Sequence, residues 1–104
     1  MPILEWTSCI PPEHPCLAGH FPGQPVVPGV VLLEQIVRRA GEWLGEERWL
    51  RALPVVKFTA PLAPGETFQV KLEQGADGAL RFRVERGQTL IAWGSMALAE
   101  PRRP

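Results

Sequence analysis

Between Gly19 and Glu34 the chain reads Gly-His-Phe-Pro-Gly-Gln-Pro-Val-Val-Pro-Gly-Val-Val-Leu-Leu-Glu. His20 and Glu34 stand fourteen residues apart in it. Histidine titrates near neutrality and can take a proton from carbon or oxygen. Glu34 sits among Val30, Val31 and Val37. Apolar surroundings disfavour a carboxylate anion, so Glu34 is expected to be able to hold a proton and deliver it. Pro28 and Gly29 mark a helix start, because proline suits the first turn, where its missing N–H is no loss. The amides that follow have no intrahelical acceptor and can point at a ligand oxygen. A base, an acid and an oxyanion site thus fall within one stretch of sixteen residues.

Each assignment has a purely architectural rival. A histidine in a turn can cap the loop or bond a carbonyl, which is the reading for His14. Gly29 can be a tight turn. Glu34 can pair with Arg38 one turn on, but such a pair is worth only ~0.2–0.5 kcal/mol and does not repay burial. That favours function for Glu34. Cys9, Cys16, His14 and His20 lack metal-ligand spacing, so no metal site is expected.

The elements that must position these groups follow from periodicity. Ile3 to Ile10 reads as a short strand ended by Pro11 and Pro12. The stretch from Gly19 to Gly29 is a turn-rich loop. A helix runs from about Pro28 to Leu44, with Gly45 as its stop. Glu46 to Leu53 reads as a linker with room for a helical turn. Beyond it the period becomes two. Val55 to Thr59 is a strand closed by Pro61 and the Pro64-Gly65 turn. Thr67 to Glu73 alternates with Phe68, Val70 and Leu72 inward, and Ala79 to Arg86 with Leu80, Phe82 and Val84 inward. Gly87-Gln88 turns into Thr89 to Leu98, whose apolar character makes it central. Strand, helix, then a meander of four antiparallel strands is an α+β layout: a sheet wrapped around one long apolar helix.

Bulk properties narrow the function classes. The 104 residues make one domain, with a loose tail over 99–104. Eleven basic and eleven acidic residues cancel, which argues against a nucleic-acid binder. Two cysteines in no framework spacing read as reduced thiols in a cytoplasmic protein. No leader and no membrane-spanning run is expected. A helix as apolar as 30–44 needs more cover than one small sheet gives, so an oligomer is expected.

The Gly19–Val30 wording followed by Glu34 resembles the signature of the FabZ-type 3-hydroxyacyl-[acyl-carrier-protein] dehydratases, which are hotdog-fold enzymes. Lys57-Phe58, Pro61 and Pro64-Gly65 resemble the family's segment after the helix. The likeness spans roughly Trp6 to Ala99. The chain is shorter than a housekeeping FabZ enzyme and contains no tyrosine, so a tyrosine-bearing gate loop is absent or altered. It looks most like the small dehydratases of specialised pathways, such as those making aryl-polyene pigments. Glutamate at 34, where the decanoyl-type dehydratase-isomerases carry aspartate, implies dehydration without double-bond isomerisation.

The resemblance implies that (3R)-3-hydroxyacyl thioesters on acyl carrier protein become trans-2-enoyl thioesters. His20 would take the C2 proton. Glu34 would act as acid on the C3 hydroxyl or orient a water. The Gly29 amide would hold the thioester carbonyl oxygen, with Phe21, Pro28 and Val30 lining the substrate site. In the family the histidine of one protomer faces the glutamate of the other, which implies a homodimer with shared sites and leaves a higher oligomer open. No metal or dissociable cofactor is implied, since the carrier's phosphopantetheine arm brings the substrate. Arg38, Arg39, Arg48, Arg51, Arg81 and Arg83 are candidates for a basic face toward an acidic carrier. Trp93 and Phe58 are candidates for an acyl tunnel, with ordinary core as the simpler expectation. Two other functions fit the same pattern: a hotdog thioesterase, and a non-catalytic acyl-binding subunit.

Overall fold

A computed structural model describes residues 2–13, 26–45 and 50–99. Alternation of apolar and polar residues produces four of its strands: β1 (Ile3–Cys9), β3 (Thr67–Gln74), β4 (Leu80–Arg86) and β5 (Thr89–Leu98). A fifth, β2 (Leu50–Phe58), follows the single helix among the described residues, α1 (Gly29–Trp43). All pair antiparallel in one sheet ordered β1-β3-β4-β5-β2. This is the α+β arrangement expected.

The period-two pattern fixes which face is inward. Phe68, Val70 and Leu72 of β3 and Leu80, Phe82 and Val84 of β4 are all buried. They join Val31, Leu32, Ile36 and Ala40 of α1 in one apolar cluster. Each such side chain contributes about 1.5–3 kcal/mol on leaving water. The outward positions form a polar row across the strands: Glu5 of β1, Lys71 of β3, Arg83 of β4, Trp93 of β5 and Lys57 of β2.

Two expectations are corrected. The last four strands are not a sequential meander, because β2 pairs with β5 and not with β3. Only β3, β4 and β5 run as neighbouring hairpins; the chain from β2 crosses the sheet to reach β3, which lies beside the far edge strand β1. Nor is 46–53 simply a linker, since β2 starts at Leu50. Its alternation is hidden by register shifts between Leu50 and Val55, and by Pro54, which an edge strand tolerates. β5 does lie inside the sheet, between β4 and β2.

Gly94 of β5 shows why the crossing strand can lie so close. A Cβ there would collide with the carbonyl oxygen of Val55 and the ring of Phe82. Helix α1 ends as expected: Leu44 N–H bonds the Ala40 carbonyl at 3.0 Å, and Gly45 takes a positive φ of 81°. Of the expected loose tail over 99–104, residues 100–104 lie outside the described residues, as do His14, Cys16 and Arg48.

Candidate active site at the start of the helix

Helix α1 opens without a side-chain cap. Pro28 occupies the N-cap position with extended dihedrals, φ −61° and ψ 142°. Val31 N–H reaches back to the Pro28 carbonyl at 3.0 Å. The Gly29 and Val30 amides precede the first intrahelical acceptor and have no hydrogen-bond partner among the described residues. Their positive end of the helix dipole faces a groove of about 460 Å³ lined by Pro28, Gly29, Leu32, Phe58, Leu62 and Ile91. A negative charge developing on a carbonyl oxygen would be stabilised there.

Gly29 is not only a turn residue. The ring of Phe58, at the end of β2, lies where its Cβ would be. The ring is half exposed, and the groove thus runs between an edge-strand aromatic and bare helix backbone. Phe58 was a tunnel candidate and does line this groove. Trp93 does not. It points outward from β5 between Arg83 and Lys57, 40% exposed, and belongs neither to a tunnel nor to the core. One residue of offset in a strand exchanges the faces.

Val30 and Glu34 share one face of α1 by their i,i+4 spacing. Val30 is 68% exposed, and the Glu34 side chain 62%. Glu34 is therefore not enclosed by valine and leucine in the single chain. Val31, about 100° round the helix from Val30, turns to the core, and Glu34 lies between the two at the border of the buried face. Its Oε1 accepts a hydrogen bond from Arg38 Nη2 at 3.1 Å, an exposed ion pair. The premise that such a pair would have to repay burial fails, because neither partner is buried here. His20 and Phe21 lie outside the described residues.

The arginines do not form one face. Arg81 and Arg83 lie on the outer side of the sheet, in line with Ser95 and Trp93. Arg38 and Arg39 are on the helix, on the other side. Arg39 stacks over Trp6 with its guanidinium carbon 5.1 Å from the ring centroid, and sits 3.8 Å from Glu42.

A feature that sequence reasoning missed is the clasp behind the groove. One nitrogen, Arg86 Nη1, donates to the Pro61 carbonyl at 2.7 Å and to Glu66 Oε1 at 3.2 Å. The same Glu66 oxygen accepts from Ala63 N–H at 2.7 Å. A Pro-x-x-Pro-Gly loop lacks two N–H donors, so its remaining groups need partners from elsewhere. That was the available signal.

Comparison with known proteins decides the family. The ApeI-like family, described as ApeI dehydratase, matches residues 3–95. The chain belongs to that family. It is 33% identical to the 3-hydroxyacyl-[acyl-carrier-protein] dehydratase FabZ of Herpetosiphon aurantiacus, over 84% of this chain and 70% of the relative. Against the FabZ of Haemophilus influenzae (strain PittEE) it is 29% identical over 66% of this chain, and spans about half of that relative's length, 54%. Among solved structures, the dehydratase heterocomplex ApeI:P from Xenorhabdus doucetiae superposes with a TM-score of 0.84 at 27% identity, covering 94% of this chain and 88% of that one. A fluoroacetyl-CoA thioesterase, FlK, superposes with a TM-score of 0.64 at 26% identity, over 94% and 85% of the two chains. The fold is the hotdog, and the chain is a FabZ-type hotdog dehydratase by family. Within this ApeI-like domain, the groove at Gly29 and the carboxylate at Glu34 occupy one end and one face of the central helix.

Proposed function

We propose that the protein dehydrates (3R)-3-hydroxyacyl thioesters carried on acyl carrier protein, giving trans-2-enoyl thioesters in a site shared by two chains. The observation that carries this reading is the common placement of Gly29, Val30 and Glu34 at the start of α1, with the Gly29 amide, unpartnered among the described residues, at a groove and a carboxylate one turn along. A thioester carbonyl oxygen laid against the Gly29 amide acidifies the C2 hydrogen. His20 takes that proton as the C2–C3 double bond forms and the C3–oxygen bond breaks. Glu34 returns a proton to the departing hydroxyl, which leaves as water. The reaction is redox-neutral and needs only a base, an acid and an oxyanion donor. No dissociable cofactor enters this scheme.

A partner chain completes the site in this reading. Strand β2 is an edge of the sheet, and no strand pairs with its outer side among the described residues. Leu50, Val55 and Phe58 are exposed along it, and Val30 and Glu34 are exposed on α1. Such an edge is a template for pairing with another chain. A second copy laid there would enclose Glu34 and bring a second His20 toward it. The Xenorhabdus structure is of a heterocomplex, so a paralogous partner on the same edge is the alternative assembly. No helix among the described residues is long and apolar enough to cross a membrane, and we take the reaction to be cytoplasmic.

Mass spectrometry of a 3-hydroxyacyl carrier protein incubated with the wild type, His20→Ala and Glu34→Gln tests the proposal. Loss of one water with the wild type alone is expected. Loss of the whole acyl group identifies a thioesterase instead. No change with short, long and aryl substrates identifies an acyl-binding subunit.

A further inference from the structure

The groove at Gly29 is held from behind by groups that never touch it. The loop 59–66 between β2 and β3 forms one wall through Thr59, Ala60, Pro61 and Leu62. Its backbone is fixed at both ends: Thr59 N–H donates to the Ile91 carbonyl at 2.8 Å, and Gly65 N–H to the Ile10 carbonyl at 2.8 Å. Its middle is different. Pro61 and Pro64 have no N–H, so the centre is held by its carbonyls and by side chains. Arg86, from the end of β4, takes the Pro61 carbonyl and Glu66 with the two hydrogens of one nitrogen. The next carbonyl along, that of Leu62, accepts the N–H of Val27 at 2.8 Å. Val27 lies two residues before Gly29.

We propose that Arg86 and Glu66 are positioning residues that set where the Gly29 amide stands in the groove, acting through Pro61, Leu62 and Val27. The route is short. The guanidinium holds the Pro61 carbonyl, one peptide plane from the Leu62 carbonyl, which holds the segment leading into α1. Leu62 itself is 2% exposed, so its side chain anchors that plane in the core. The Arg86 and Glu66 side chains are only 31% and 39% exposed, which shelters their ion pair from water. Arginine keeps its charge at all working pH values and offers paired N–H donors in a fixed plane. An error of about 1 Å in an oxyanion donor can cost 10²-fold in rate. The proposal rests on the dehydratase reading for its kinetic consequence but not for its structural one.

The test uses the full chain with Arg86→Gln, Arg86→Lys and Glu66→Ala. Amide hydrogen exchange is followed residue by residue, beside kcat and KM on a 3-hydroxyacyl carrier protein. Arg86→Gln is expected to speed exchange at Val27 and Ala63 about tenfold, and to leave Val70, Leu72 and Phe82 unchanged. Its kcat should fall about tenfold with KM nearly constant, and Arg86→Lys should recover part of that. Unchanged exchange at Val27 overturns the proposal. So does equal acceleration throughout the central strands, which would make the clasp a general support; if Arg86→Gln does not fold, Glu66→Ala, which removes the acceptor, decides by the same two signs. If the wild type dehydrates nothing, the dehydratase reading falls, and the exchange data still decide the positioning.

Discussion

Gly29→Ala separates the packing of the helix start from its chemistry. Alanine improves a helix by up to about 1 kcal/mol over glycine in an interior position, and by less in the first turn. The new Cβ would land on the Phe58 ring. That ring ends a flexible side chain, is half exposed, and can swing away. Removing a fully buried phenylalanine costs ~3–5 kcal/mol, so displacing a half-buried one should cost about 1–2 kcal/mol at most. The two terms nearly offset, and Gly29→Ala should destabilise by no more than about 1 kcal/mol, a Tm drop of roughly 4–8 °C for a chain of this size. In a Phe58→Ala background the obstacle is gone and only the helix term remains. Gly29→Ala should then be neutral or stabilising, which is a coupling of about 1–2 kcal/mol. Urea unfolding of the four proteins, at one protein concentration, measures it. Activity should not follow stability: a methyl at the groove mouth hinders the approach of a carbonyl to the amide, and kcat/KM should fall at least tenfold. The reasoning is refuted if Gly29→Ala costs the same with and without the Phe58 ring, since the ring would then not be the obstacle.

Glu34→Gln should abolish dehydration yet change stability by less than about 0.5 kcal/mol, because it removes only an exposed i,i+4 pair with Arg38; a matched fall in Tm and activity would count against a chemical role. Gly94→Ala should destabilise by at least ~2–3 kcal/mol, because the Val55 carbonyl it strikes is backbone and cannot step aside; denaturation at wild-type values would mean that β2 does not lie as close as described. Trp93→Ala should leave kcat and KM unchanged, since the side chain faces away from the groove; a shift in substrate preference would put it back in the acyl path.

The sequence carried the inner face of the sheet almost without error, and for a simple reason. In β3 and β4 a polar residue separates each pair of buried ones, and both strands are interior, so burial on one face alone dictates the pattern. Strand β2 was only partly legible. It lies at the edge, carries Pro54, and slips register twice before Val55, so no period survives in its first half. Its pairing with β5 is a long-range choice that local periodicity does not contain. The same limit explains the arginines. Spacing predicts which residues share one element's face, but not that α1 and the outward side of β4 look in opposite directions.

Glu34 shows how the candidate site divides between what one chain specifies and what it leaves open. Sequence neighbours made it look enclosed, because Val30, Val31 and Val37 surround it in the written order. On the helix all three are its neighbours three or four positions away, yet they do not enclose it. Val31 turns to the core with Leu32 and Ile36, and Val30 stays with Glu34 on the free side, 68% exposed. Val30, exposed to that degree, is apolar surface that nothing among the described residues covers. Enclosure of Glu34, if it occurs, must come from outside the described residues of this chain. The proposed shared site assigns that cover to a partner, and a strictly monomeric, fully active protein would overturn the shared site while leaving the Gly29 groove and the Arg86 clasp as they stand.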